Sequence, residues 1–492
     1  MPYYLSSTAL MRKLAITVAK GESMTNDKRE QALEALSFPE APKLVTDTIP
    51  GPKAAKIFQE MMSMETPQRP AATVFPLVAE EAKGVTIKDV DGNIFIDFGA
   101  GVGVKSTGSC HPKVVKAIQE QAPKMGHMID ALTPLKYEVV KTMRDTAPHD
   151  LKNNCFMTYF QSGTGGAEAC IKQSKMITGR NQIVAFEGGY HGVFGHTNAM
   201  TVGENYRQGY GALMPYVHHL PYAYCYRCPF NMEYPKCGVE CAKYADYKLN
   251  TPYTGLDDVA AVICESFQGE GGYIVPPKEW WPMIKKAAEK AGALCIADEV
   301  QSGFGRSGKM WACEHYDFNP DMITFGKGVG NDQPFAGVMT NSKYLEKLTL
   351  QSQPNTFSGN SITLAAVKAN YEIMLDPEMD LMGRATELGK YMQSRFKEAQ
   401  KSIEQIGDIR GEGLWQAIEL VKDPDTKEPT RPEFLGDLFP ALFAKGLFSV
   451  PCGRHANVLR FMPSLTISKK HLDISLDILF ETLEELKDKM AQ

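Results

Sequence analysis

From about Asn154 onward, short unbroken apolar runs alternate with segments whose apolar residues recur every three or four positions. Val259–Phe267 (VAAVICESF), Ala293–Val300 (ALCIADEV) and Asp321–Gly328 (DMITFGKG) are such runs, and the amphipathic WPMIKKAAEKAG separates the first two. A strand with one wet face alternates polar and apolar residues, so continuous apolar runs imply strands covered on both faces by crossover helices. The pattern predicts an α/β architecture around a mainly parallel sheet. Earlier, VTIKDVDGNIFIDFGAG (Val85–Gly101) reads as two strands joined at Asp91-Gly92, a strong hairpin signal, with the amphipathic helix HPKVVKAIQEQAPK after it. Residues 1–65 are weakly patterned, with short helical stretches around Asp27–Leu36 and Ala54–Ser63. The last hundred residues open with a long helix near Leu388–Ile403 and then mix strands and helices, as a smaller α+β unit does.

Composition narrows the functional classes. The 492 residues are 43% hydrophobic and 23% charged, with a formal net charge of −5. A core of this size needs no disulfide or metal to be stable. Mild acidity without a basic block argues against nucleic acid as the main partner, and no apolar run reaches the 18 or so residues of a membrane span. Eleven cysteines without a secretory signal point to a reducing compartment, and the cytoplasm is the expected location. The first 21 residues carry Arg12, Lys13 and Lys20 but no acid, which also suits a mitochondrial transit peptide or a leader ahead of an initiator at Met24.

Ligands of open α/β sheets bind beyond the carboxyl ends of the strands. Here Glu265 closes one strand, Asp298 and Glu299 the next, and Lys327 the third. In QSGTGGAEACIKQSKMITGR (Gln161–Arg180) a strand ends near Phe160, a glycine-rich turn follows and a helix begins, so unpaired N–H groups and the helix dipole form an anion cradle. Its spacing fits neither the dinucleotide fingerprint nor the P-loop. An anion cradle, a lysine and a carboxylate are what pyridoxal phosphate requires.

These residues sit in segments that resemble the class III pyridoxal-phosphate aminotransferases of fold type I, which include the 4-aminobutyrate and ornithine enzymes. The resemblance runs from about Gly84 to Leu476 through DVDGNIFIDFGAGVGV, SGTGGAEACIK, FEGGYHG, ESFQGEGGYIVPP, ADEVQSGFGRSGKMWACEH, PDMITFGKG, NTFSGN and LRFMPSLTI, in family order. It implies a large cofactor-binding domain over 116–384 and a smaller α+β domain from both chain ends, 66–115 and 385–492, after the leader 1–65. Lys327 would bind the cofactor covalently and carry the catalytic proton, and Asp298 would pair with the pyridinium nitrogen. Val300 and Tyr190 would flank the ring, Gln301 would approach the phenolic oxygen, and Gly163 and Thr164 would hold the phosphate. Thr356 would reach the phosphate of a neighbouring subunit, implying a homodimer; Asp298, Lys327 and Thr356 are spaced at 29 and 29 positions, as in the family. Arg460 would grip a substrate α-carboxylate, and Glu270 would cover that arginine when no α-carboxylate is present.

Departures from the family pattern bear on substrate. Val193 stands where relatives that use 2-oxoglutarate carry an arginine, and a second carboxylate without a cation is costly in a partly desolvated site. The resemblance therefore implies an ω-amino acid or other primary amine as donor, with pyruvate favoured over 2-oxoglutarate as acceptor. The alternative is a racemase, epimerase or decarboxylase of the same family. Gly165 and Gly166 replace a usual Glu-Ala pair and are expected to loosen the first helical turn. Asp332 and Gln333 lie close after Lys327 and face either substrate or solvent. Cys225, Cys228, Cys237 and Cys241, spaced C-x2-C-x8-C-x3-C within the insertion 222–244, suit a structural zinc, reduced thiols or a reversible disulfide.

Overall fold

The structure is a computed structural model that describes residues 25–64, 76–129, 131–349 and 351–490. The basic, acid-free start, and with it the targeting expectation, lies outside the described residues. Three short strands come first: β1 (Ala79–Lys83), β2 (Thr86–Asp89) and β3 (Ile94–Asp97). Then β4 (Cys155–Phe160), β5 (Gln182–Phe186), β6 (Val217–Leu220), β7 (Val259–Glu265), β8 (Leu294–Asp298), β9 (Met322–Phe325) and β10 (Ala336–Asn341) form one sheet in the order β4-β10-β9-β8-β7-β5-β6. Pairings from β9 through β8, β7 and β5 to β6 are all parallel, and β10 runs antiparallel to both its neighbours. Every residue of β7 is buried, as its unbroken apolar run demands. The mainly parallel α/β sheet is therefore as expected.

The remaining strands are β11 (Ile406–Glu412), β12 (Trp415–Asp423), β13 (Glu428–Pro429), β14 (Leu447–Phe448), β15 (Val450–Cys452) and β16 (Val458–Phe461). β11-β12-β16-β15 is an antiparallel sheet, while β14 joins β3 in parallel and so ties the N-terminal hairpin to the C-terminal part of the chain. The hairpin loop is Val90–Gly92: Gly92 N donates to Asp89 O at 3.1 Å, and Gly92 takes φ 95°, a conformation that favours glycine. The long C-terminal helix spans Leu381–Gln400, starting earlier than the apolar period suggests because the Asp380 side chain caps it, accepting from Gly383 N at 3.2 Å. No helix among the described residues is long and apolar enough to cross a membrane.

Parallel pairing aligns the carboxyl ends of β5, β7, β8 and β9 along one edge of the sheet, so the segments that follow each strand converge there.

Candidate active site

β8 delivers two acids in succession, and neighbouring strand residues point to opposite faces. Glu299 turns into the protein. It accepts from Ser266 Oγ (2.5 Å), Ser302 Oγ (3.0 Å) and the N–H groups of Ala312 (2.9 Å) and Cys313 (2.7 Å), which caps the turn Ala312–His315. Asp298 turns to the sheet edge, where Oδ2 lies 2.7 Å from His191 Nδ1 and Oδ1 accepts from Val300 N (3.0 Å) and Thr324 Oγ1 (2.8 Å). Burial alone would raise the Asp298 carboxyl, but the His191 hydrogen bond and charge outweigh it and hold the group below its ordinary range. Burial pulls His191 down, yet Asp298 lifts it above its ordinary value. The two form a buried ion pair.

Glu265, at the end of β7, accepts from Tyr190 N (2.9 Å) and Gly269 N (2.8 Å). Burial, opposed by His191 and reinforced by the Asp298 charge, pushes its carboxyl up to about 7. Lys327 follows β9 and is partly buried, with φ 44°, a left-handed conformation that a side-chain-bearing residue adopts only when its surroundings impose it. Burial first, then the Arg460 charge, lower its amine to about 8 against the pull of Glu265, Asp298 and Glu270. At neutral pH about a tenth is thus uncharged and nucleophilic, far more than for an ordinary lysine near 10.4.

The glycine-rich turn is the start of the helix Gly163–Thr178, capped by Ser162, whose Oγ accepts from Gly165 N at 3.2 Å. Gly165 and Gly166 do not loosen this turn. A Cβ at Gly166 would fall 2.7 Å from Gly337 O, and one at Gly165 would fall 3.0 Å from Phe160, so the pair lets the helix lie close on β4 and β10. Val300 packs against Gly163, where a Cβ would fall 2.6 Å from Val300 Cγ1. Thr164 lies against Gly192 in the segment after Tyr190, and the buried Gln301 Oε1 has no hydrogen-bond partner among the described residues. Thr356 joins none of these contacts and is exposed. Of the undecided pair, Asp332 accepts from Cys110 N at 2.8 Å, while Gln333 lines a cavity of about 290 Å³ with Phe160, Phe335 and Phe357.

On the other side stands Arg460 of β16, buried, with Nη1 2.9 Å from Glu270 Oε2 and an Nε that has no partner among the described residues. Burial acts against its charge, but Glu270 more than compensates and keeps the guanidinium firmly protonated. The other Glu270 oxygen accepts from Tyr206 Oη at 3.0 Å, and the Tyr206 ring meets Tyr190 edge-on at 5.0 Å. An arginine with spare donors behind a movable carboxylate can receive an incoming carboxylate.

The cysteine-rich insertion leads elsewhere. Its four cysteines line one small cavity with Tyr222 and Tyr234, yet among the described residues no group of three or more His, Cys, Asp or Glu is placed to hold a metal ion. Burial and neighbouring thiols push Cys225 up to about 11 and Cys241 up to about 12 in the absence of a metal. The structure thus does not support the zinc expectation. The loop is fastened by Tyr224 and Arg227, which both hold the fully buried Glu419 of β12, with Arg227 Nε at 2.5 Å.

His191, Glu265 and Tyr206 were not among the residues carried over from the resemblance. Glu265 was signalled by its place at a strand end and His191 by adjacency to Tyr190. Tyr206 had no local signal. The observed set fits pyridoxal phosphate. An ionised carboxylate suits a cationic ring nitrogen, a lysine of lowered basicity suits attack on an aldehyde, and a capped helix start free of bulk suits a phosphate.

The description Aminotransferase class-III matches residues 68–483 of this chain. Similar proteins include the alanine/serine racemase of Pyrococcus horikoshii, 33% identical over 91% of this chain and 93% of that protein. Another is the 4-aminobutyrate aminotransferase of Mycobacterium leprae, 33% identical over 91% of this chain and 99% of that protein. Among solved structures, the taurine:2-oxoglutarate aminotransferase of Bifidobacterium kashiwanohense, in complex with PLP and glutamate, superposes with a TM-score of 0.80 at 26% identity, covering 91% of this chain and 100% of that one.

Proposed function

The chain belongs to the class III aminotransferases, which are pyridoxal-phosphate enzymes, and from that premise we propose that it moves an amino group from an ω-amino acid or other primary amine to a 2-oxo acid, favouring pyruvate. The observation that carries this reading is the buried Arg460, short of partners and covered by Glu270. With Glu270 on Arg460 the cleft presents a neutralised pair to an amine that lacks an α-carboxylate. With Glu270 displaced, Arg460 is free to fork onto the carboxylate of an oxo acid.

Pyridoxal phosphate, when bound, supplies an aldehyde carbon that links to amines and a ring that accepts electrons. The chain supplies the rest. Asp298, held ionised by His191, would pair with the ring nitrogen and keep it protonated. Lys327 Nζ would hold the cofactor and, once freed, would carry a proton to and from the substrate Cα. Val300 and Tyr190 would confine the ring, Gly163 and Thr164 at the helix start would hold the phosphate, and Gln301 would approach the phenolic oxygen with its amide nitrogen as donor.

Val193 supports the choice of acceptor, because an exposed apolar side chain occupies the chain position at which, by the family resemblance, users of 2-oxoglutarate carry an arginine. A second copy of the chain completes the proposal. Met128, Ile129, Leu132, Tyr137 and Phe357 are exposed, the Phe357 ring lies tilted against His127 at 5.0 Å, and Thr356 is next to Phe357 in the chain. Such exposed apolar side chains suit a homodimer in which Thr356 reaches the partner's phosphate.

One observation favours a second reading, racemisation: a racemase is among the relatives of highest similarity. Both readings are separated by mixing holoenzyme with a panel of amines and amino acids without acceptor. Transamination converts the cofactor to its pyridoxamine form and names the donor. Exchange of the substrate α-proton with deuterium while the cofactor spectrum stays constant marks a racemase and overturns the proposal. Sustained turnover with 2-oxoglutarate and none with pyruvate overturns the acceptor assignment.

A further inference from the structure

Glu270 stands between Gly269 and the pair Gly271-Gly272, which invites reading the segment as a flexible loop. Its backbone is clamped instead. Gly269 N donates to Glu265 Oε2 at 2.8 Å, Gly453 N donates to Glu270 O at 2.9 Å, and Gly272 O accepts from Arg410 Nε (2.9 Å) and Nη2 (2.6 Å). A Cβ at Gly269 would fall 2.5 Å from Gln301 Oε1, and one at Gly271 would run into Gln268, so these glycines serve close approach. With the main chain held on several sides, Glu270 can leave Arg460 only by turning its side chain.

A turning carboxylate needs something to turn on. Glu270 presents one oxygen to each neighbour, Oε2 to Arg460 and Oε1 to the Tyr206 hydroxyl. Tyr206 is itself anchored independently of the Glu270 segment. Arg207, next to it, donates from Nε to Thr201 O and from Nη2 to Ala199 O, both at 2.7 Å, and the Tyr206 ring rests edge-on against Tyr190. Burial, and next the Glu270 charge, raise the Tyr206 hydroxyl well above the usual phenol range, so it remains a donor at all working pH values.

We propose that Tyr206 is the pivot of the substrate switch: its hydroxyl keeps Glu270 Oε1 while the side chain rotates Oε2 off Arg460 to admit an α-carboxylate. The inference rests on the Arg460–Glu270 reading above. It gives Tyr206 the role of a positioning residue that acts through Glu270. Without this hydroxyl, a carboxylate driven off Arg460 into a cleft where it is only 28% exposed has lost its charge partner and its hydrogen bond together. The hydroxyl therefore matters most in the open state, where it becomes the carboxylate's principal partner.

The test is calorimetric binding, to holoenzyme in its aldehyde form, of whichever of pyruvate and 2-oxoglutarate the native enzyme binds better. It compares native enzyme, Tyr206→Phe, Glu270→Ala and the double variant, each checked for an unchanged melting transition. Tyr206→Phe is expected to weaken binding about tenfold, because the bond, present in both states, is worth more once the carboxylate has lost Arg460. In turnover the effect falls on the oxo-acid KM and not on kcat. Glu270→Ala removes the competitor and tightens binding, and in that background Tyr206→Phe changes nothing further. Unchanged or tighter binding in Tyr206→Phe, or an equal loss in both backgrounds, overturns the pivot alone. Failure of Glu270→Ala to tighten binding overturns the switch reading, and the pivot falls with it.

Discussion

Arg410 and Arg460 face each other across β12: Ala417 pairs with Arg410 on one side and with Arg460 on the other, so both guanidinium groups project from one face of the sheet over a small residue. Their surroundings differ in one respect. Arg410 is saturated: Nε and Nη2 donate to Gly272 O, Nη1 lies 2.6 Å from Asp408, and Nη2 lies 2.8 Å from Glu419. Glu419 is in turn held by Tyr224 and Arg227, which ties the cysteine-rich insertion to the C-terminal sheet behind the Glu270 segment. Arg460 has a single carboxylate contact and a buried Nε with no partner among the described residues. One buried arginine is thus satisfied on all sides while its neighbour keeps spare donors, which is what the proposed grip on a substrate carboxylate requires.

The largest effect is expected from breaking the saturated member. Arg410→Met strips Glu419 of its central cation and should cost about 3–5 kcal/mol of stability in urea unfolding, while the fraction that stays folded keeps its substrate preference. Arg460→Met should do the reverse. Its kcat/KM for α-carboxylate substrates is expected to fall about a hundredfold, near 2.7 kcal/mol, with a much smaller change in unfolding free energy. If the two variants lose stability and activity in similar proportion, the distinction between them is void.

A smaller effect separates the cleft from the clamp by pH. Cofactor attack needs the neutral Lys327 amine, and burial together with the Arg460 charge brings that amine to about 8. As pH rises toward about 8 the charged fraction falls, so apoenzyme should take up pyridoxal phosphate about tenfold faster per pH unit and level off above 8. An unperturbed lysine continues to accelerate to about 10.4. Stopped-flow absorbance reads the break. In Arg460→Met the break should move upward, because a neighbouring positive charge has gone, whereas Arg410→Met should leave it in place.

Much of this site was legible in the chain because its parts are short contiguous segments placed by strand direction. A parallel strand delivers whatever follows it to the same edge, so Asp298 and Lys327 could be read as candidates for one cleft, whereas Tyr190 was placed there only by the family resemblance. The Asp298-Glu299 pair shows the limit. Both acids end the same strand, yet one serves the cleft and the other caps Ala312–His315, and only the sheet's facing decides which. The cysteine spacing misled for a related reason. Spacing counts residues along the chain, whereas a metal requires its ligands to converge in space, and among the described residues no group of three or more does so.

What the sequence determined by itself was therefore the layered α/β plan, since hydrophobic period reports which face of an element is buried, while the cofactor-side residues were named by motif resemblance. Partner identity came only from the tertiary structure. Tyr206 meets Glu270 across 64 positions, Tyr224 and Arg227 reach Glu419 across 195 and 192, and Arg410 shares a row with Arg460. A side chain's local pattern fixes whether it is buried, but what it finds when buried depends on how distant elements pack, and that is settled by the free energy of the whole fold.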